Sequence, residues 1–128
     1  MRIVNLTQHA ASTEQLAAGV SDVEDREALS AFLTFSATML AENPSIAAQI
    51  VEDRARDIVR TFVAKADAAM IGGAPYLMAP LERALQAVGC PCLYAISDRV
   101  SEDQVQADGS TRKVAVFKHV GFLRTRTG

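Results

Sequence analysis

Apolar and polar positions follow one another along this chain in short blocks, and their spacing predicts the elements. Ile3 to Leu6 is an apolar run that the polar Thr7-Gln8-His9 brings to an end, the pattern of a strand entering a loop. Ser12 and Gln15 stand at capping-box spacing, where the hydroxyl accepts the N3 amide and the Gln side chain reaches back. Gly19 suits the position just past a helix end, so the first helix is short. Ser21 and Glu24 repeat the capping spacing and predict a second helix, with Ala28, Leu29, Phe32 and Leu33 on one face. Asp22, Glu24 and Asp25 then fall in its first turn, where the helix dipole favours anions.

Asn43-Pro44 combines a cap with a proline at N1. From there Ala47, Ile50, Val51, Ile58, Val59, Phe62 and Val63 recur at helical spacing, with Glu52, Asp53, Arg54, Arg56, Asp57 and Arg60 on the other side. This predicts an amphipathic helix of about five turns. Ala66 to Ile71 reads as a buried strand ended by Gly72-Gly73-Ala74-Pro75, and a helix follows with Leu81, Ala84, Leu85 and Val88 as its stripe. Gly89 marks its end, and Pro80 is expected in its first turn, because deeper inside it costs about 3 kcal/mol.

Cys92 to Ser97 reads as another buried strand. Val100 to Gln106 and Thr111 to Val120 flank Asp108-Gly109, a hairpin signal, since Gly tolerates the positive φ of the tight turn. The order β-α-α-α-β-α-β-β-β implies one α/β domain: a small Rossmann-like three-layer sandwich with parallel core strands and an antiparallel C-terminal hairpin. Its expected core includes Ile50, Ile58, Phe62, Leu81, Leu85 and Ile96.

Composition narrows the class. A chain of 128 residues holds one domain. Hydrophobic residues at 49% and charged residues at 22% argue against disorder. A net charge of -2 excludes a generally basic nucleic-acid coat, and nucleic acid is not the expected partner. No apolar run approaches the roughly 20 residues of a membrane span, and the N-terminus lacks a secretory pattern. A soluble cytoplasmic protein is expected, with no membrane association, and homo-oligomer formation is expected too.

In an open parallel sheet, ligands bind beyond the carboxyl ends of the strands. That rule collects Thr7 and His9 from the first strand, Gly72, Gly73 and Tyr76 from the second, and Ser97 and Arg99 from the third. The paired glycines opening a helix can bring backbone amides to an anion, although G-x-G-x-x-G and P-loop spacings are absent. The same residues also suit a tight strand-to-helix turn that needs no ligand. His9 is a candidate acid or base, or else a loop histidine bonded to a nearby carbonyl. His119 reads as a strand-end histidine satisfied by backbone, against a catalytic alternative. Five cations (Arg112, Lys113, Lys118, Arg124 and Arg126) stand in the 18 residues from Thr111 with no acid among them, a phosphate-receiving patch or a guarded strand edge. Cys90-Pro91-Cys92 matches neither zinc nor redox spacing, so no metal and no cofactor is expected.

With these residues in view, the chain resembles a family of small uncharacterised bacterial and phage-borne proteins. The resemblance lies in Asn5 to Ala10 (NLTQHA), Met70 to Pro75 (MIGGAP) and the closing Val116 to Phe122. It spans most of the chain and brings no activity with it. More loosely, the order of elements is similar to the small Rossmann-like sensor and ring-nuclease proteins that accompany CRISPR systems. Those bind cyclic oligoadenylates at a dimer interface, and this likeness is one of fold alone.

The expected function is binding of a nucleotide or other phosphate-bearing small ligand at the strand ends. If the domain is an enzyme, metal-independent cleavage is expected. The rival expectation is a non-enzymatic protein-interaction module of phage or plasmid origin.

Overall fold

Local chemistry accounts for most of the elements in the computed structural model, which describes residues 1–63 and 66–125. After β1 (Ile3–Asn5), helix α1 (Thr13–Ala17) opens with the expected capping box: Ser12 Oγ accepts from Gln15 N at 3.1 Å and Gln15 Oε1 from Ser12 N at 3.0 Å. Gly19 follows at φ 102°, and a Cβ there would meet Met1 O at 2.7 Å, so only glycine fits.

The chain next departs from expectation. Val20–Asp22 is a strand, β2, and the helix predicted to begin at Ser21 begins later, as α2 (Arg26–Leu33). Its cap is Asp25, whose carboxylate accepts Ala28 N at 3.0 Å. The reason is tertiary. Val20 pairs with Ile3 in a parallel ladder, and this pairing outweighs the local capping pattern of Ser21 and Glu24.

A short helix the pattern did not separate, α3 (Ala37–Glu42), precedes α4 (Pro44–Phe62). Pro44 sits in the first turn of α4 as expected, but the Asn43 side chain turns back and donates to Met39 O at 3.1 Å, closing α3 instead. Val51, Ala55, Ile58 and Val59 form the buried stripe of α4. Arg54, read from sequence as part of the polar face, donates to Phe32 O at 2.9 Å and Thr34 O at 3.1 Å. A cation thus satisfies the orphan carbonyls at the C-terminus of α2.

Strand β3 (Ala68–Ile71) is wholly buried. In α5 (Pro75–Ala87), Leu77, Leu81, Ala84 and Leu85 face the core, and burying each leucine stabilises the fold by about 1.5–3 kcal/mol. The helix ends in a Schellman motif: Cys90 N donates to Leu85 O and Gly89 N to Gln86 O, both at 3.0 Å, with Gly89 at φ 69°. Pro80 is not in the first turn as expected, because α5 starts at Pro75 and places it inside the helix. Its ring is buried on the core side, which offsets the missing amide bond.

These elements form one five-stranded sheet in the order β2-β1-β3-β4-β5, with β4 (Cys92–Val105) and β5 (Thr111–Arg124) at its far edge. The strands from β2 to β4 are parallel, β4 and β5 are antiparallel, and the sheet curls into a half-barrel. The α/β class with a parallel core and an antiparallel C-terminal pair is therefore as expected. Helices α2, α4 and α5 cover the sheet face carrying Val4, Leu6, Ala69, Ile71 and Cys92. On the opposite face, Ile3, Val20, Ala68, Met70 and Leu93 cluster with Ala11 and Phe122, and α1 itself buries no residue.

The C-terminal half of the sheet differs from the sequence reading. The two strands expected at 92–97 and 100–106 are one, β4, and only its first two residues are buried. Ile96, expected in the core, is 43% exposed, and Val88 is 61% exposed. Ile50 and Phe62 are half-buried, whereas Ile58, Leu81 and Leu85 are fully buried as expected. Beyond Tyr94, β4 leaves β3 behind and continues with β5 as an arm of nine further pairs, Ser97↔His119 to Val105↔Thr111. A bulge at Ile96/Ser97 separates this arm from the core part of the sheet. Its tip is the expected Asp108-Gly109 turn, with Gly109 at φ 84°. No helix among the described residues is long and apolar enough to cross a membrane.

Candidate functional site

The strand order reverses between β1 and β3, so their carboxyl ends open a crevice. Two clefts occupy it. One, of about 400 Å³, takes Thr7, His9, Gly72 and Gly73, with Tyr94 on its far wall. The other, of about 290 Å³, takes Thr34, Phe35 and Tyr76. Gln8, Gly72 and Gly73 line both, so the glycine turn is the partition between them.

The loop bearing His9 is held by a residue that the sequence reading passed over. Asn5 is a polar side chain only 2% exposed, and it uses its full hydrogen-bonding capacity. Its Nδ2 donates to His9 O at 2.7 Å and to Asp22 Oδ1 at 2.8 Å. Its Oδ1 accepts Thr7 N at 2.9 Å and Thr7 Oγ1 at 2.7 Å. Asp22 Oδ1 also accepts Ala11 N at 3.0 Å. Because a carboxylate only accepts and the Thr7 amide only donates, these neighbours settle which way the Asn5 amide faces. The signal was present in the sequence as one polar residue inside the run Ile3-Val4-Asn5-Leu6.

This network changes the role of Thr7. Its single hydroxyl proton is engaged by Asn5 Oδ1, with His9 O at 3.1 Å as a second acceptor, so Thr7 shapes the loop from within. His9 is exposed at the cleft, and among the described residues its ring has no hydrogen-bond partner. Arg26, the first residue of α2, donates to Gln8 O at 2.9 Å and lies 3.8 Å from the Asp22 carboxylate. It is the cation beside this loop, and sequence reading missed it.

The turn after β3 meets the requirement for an anion site at the level of the backbone. Gly73 has φ 136°, a conformation that side chains disfavour, while a Cβ at Gly72 would meet Thr7 Cγ2 at an ordinary 3.5 Å. No side chain caps α5, and among the described residues the amides of Gly73, Ala74 and Tyr76 have no protein acceptor. Unbonded amides at the positive end of a helix dipole favour negative charge.

Ser97 and Arg99 do not join the site. They were expected in a loop after the third strand, but β4 does not end there. At roughly 3.3 Å per residue, Arg99 lies about 16 Å along the arm from Tyr94. Arg99 pairs with Phe117 there, and Ser97 pairs with His119. His119 is not satisfied by backbone as expected: its Nδ1 is buried without a hydrogen-bond partner, and its ring packs 4.8 Å from that of Phe122. The basic C-terminal stretch is offset across the hairpin, where Asp98 pairs with Lys118 and Asp103 with Lys113. Arg126 lies outside the described residues.

The remaining chemistry is quiet. Burial pushes the Cys92 thiol up to about 11 and raises Cys90 as well, so neither is an activated nucleophile. Burial and the Glu82 carboxylate, to which its hydroxyl donates at 3.0 Å, hold the Tyr94 phenol far above its usual range. Among the described residues no three metal-ligating side chains converge. Two larger grooves, of about 630 and 650 Å³, run along α4 and α5. Their arginines Arg56, Arg60 and Arg83 are paired with Asp53, Asp57 and Glu52, which leaves little net charge for a ligand.

No curated protein and no solved structure matches the chain. The model of the family described as "Uncharacterized protein MJ1673 family" matches residues 1–123, from before β1 almost to the end of β5. The match therefore takes in the Asn5 loop, the glycine turn and most of the arm, and this protein belongs to the MJ1673 family.

Proposed function

We propose that the protein binds a nucleotide or other phosphate-bearing small ligand at the carboxyl ends of β1 and β3. The observation that carries this reading is the meeting of two clefts at Gly72-Gly73, beside unbonded amides at the uncapped start of α5. In this reading the glycine turn holds phosphate, the Asn5 network fixes the loop, and Arg26, paired with Asp22, holds the Gln8 carbonyl. If the protein turns its ligand over, His9 is the acid or base and the chemistry is metal-independent.

Calorimetric titration with inorganic phosphate, AMP and ADP at low salt tests the proposal, since exposed electrostatics are strongest there. Binding should weaken in Gly73→Val, which crowds and strains the turn. It should be unchanged in Arg99→Ala, which lies on the arm. His9→Ala should retain binding and lose any turnover. Absence of heat across the panel would sink the proposal.

A second reading, a protein-interaction module, draws support from the arm, where Val105 is 77% exposed and Phe117 78%. Light scattering of the intact chain and of an arm-shortened variant tests it. Identical monomeric masses, with no partner captured by the arm, would count against it.

A further inference from the structure

The smaller cleft is walled by two aromatic rings in contact, where its neighbour has the single phenol ring of Tyr94. Phe35 and Tyr76 meet edge to face, with ring centroids 5.7 Å apart and planes at 84°. Phe35 is held from the side of α4, with the Arg54 guanidinium 4.7 Å from its ring centroid. That guanidinium is itself tied to the carbonyls of Phe32 and Thr34. The wall is therefore rigid, and it stands in a cleft whose other boundary is the Gly72-Gly73 turn. Tyr76 is 52% exposed, so part of its ring is open to solvent. Rigid, solvated aromatic rings beside a phosphate-sized turn are a platform for a planar base, which gains by stacking whatever its sequence identity. Gln8, which lines both clefts, has an amide able to donate and accept along a base edge.

We infer that the ligand is a nucleotide, with its base stacked on the Tyr76–Phe35 corner and its phosphate at Gly72-Gly73. This rests on the phosphate reading above and adds the class of group attached to that phosphate. It predicts that a bare sugar phosphate is a poorer ligand than a nucleotide carrying the same charge.

The test is calorimetry on the full chain with ribose 5-phosphate, AMP and UMP. AMP and UMP should bind tenfold or more tightly than ribose 5-phosphate, the scale of one base stacking on an aromatic ring. Tyr76→Ala should bring the nucleotides down to the level of the sugar phosphate, and Tyr76→Phe should retain their advantage. Tyr76 is half-exposed, so both variants should keep the wild-type circular dichroism and melting temperature. Equal binding of all three ligands would overturn the base platform and leave the phosphate reading standing. So would a nucleotide advantage that survives Tyr76→Ala. Where ribose 5-phosphate is too weak to register, the Tyr76→Ala loss decides. No binding of any of the three would overturn both readings.

Discussion

Asn5 shows how much one side chain can organise. Replacing it with alanine leaves Thr7 and Asp22 with unmet bonds in a half-buried setting, and stability should fall by about 1–3 kcal/mol. Asn5→Asp should be worse at neutral pH, because a carboxylate then faces Asp22 where an N–H stood at 2.8 Å. Two close carboxylates raise the folded-state pKa of the pair, so the deficit should shrink as pH falls through the carboxylate range. Chemical denaturation at pH 7 and pH 4.5 would check both the size and the sign. The glycine pair offers a second contrast. Gly73→Ala forces a side chain into φ 136° and should cost about 1 kcal/mol, whereas Gly72→Ala meets only an ordinary contact and should cost less. At this scale the sequence showed the residue types at the cleft, but not which of them were already engaged. Thr7 looked like a ligand donor because the pattern marks Asn5 as a polar residue in an apolar run without showing that it binds Thr7.

Among the elements, legibility followed the range of the forces. Caps, stripes and turns act within a few residues, so α1, α4, α5 and the Asp108-Gly109 turn stood in the pattern. Strand β2 did not: its three residues are a strand because β1 lies beside them. The same holds for β4, whose pairing partner β5 carries it past Ser97. The α4 stripe also shows where periodicity overstates burial. Phe62 is half-buried and meets Phe32 edge-on at 5.6 Å, so Phe62→Ala should cost less than the about 3–5 kcal/mol of a fully enclosed ring. At the arm tip, the Asp108 carboxylate accepts Ser110 N at 2.9 Å and Ser110 Oγ at 2.6 Å, which lowers its pKa. The stabilisation of the turn is thus present above the ordinary carboxylate range and lost as pH falls through the lowered value. Amide exchange at Ser110 should accelerate, relative to the rest of the arm, as that carboxyl is protonated.

For the whole molecule, the division between core and arm is the dominant fact. The core cluster ends at Leu93 along β4, and no residue of the arm is buried. A variant that replaces residues 99–117 with a two-residue Asn-Gly turn should therefore melt within a few degrees of the full chain by calorimetry. A much larger drop would mean that the arm stabilises the core through contacts absent from this structure. Alkaline titration should act on the core instead. Burial raises the Cys92 pKa to about 11, so its contribution is intact below the ordinary thiol range, near 9, and is lost as pH rises through 11. Thiol alkylation of the native protein at pH 8 should accordingly be slow, and fast once the chain is unfolded.

The parallel pairing of β1 with β3 governs the order in which the molecule can assemble. Arg2 N meets the Asp67 carboxylate across 65 residues, and Ile3 pairs with Ala68 beside it. The arm, by contrast, closes around a tight local turn, and hairpins of that kind form in about 1–10 μs. Loop-closure entropy opposes the distant contact until helices α2 to α4 have shortened the chain between its ends. A full chain refolding from denaturant would thus close its C-terminal hairpin while its first strand still waited for β3. The rate of folding should depend on substitutions in α4 far more than on those in the arm.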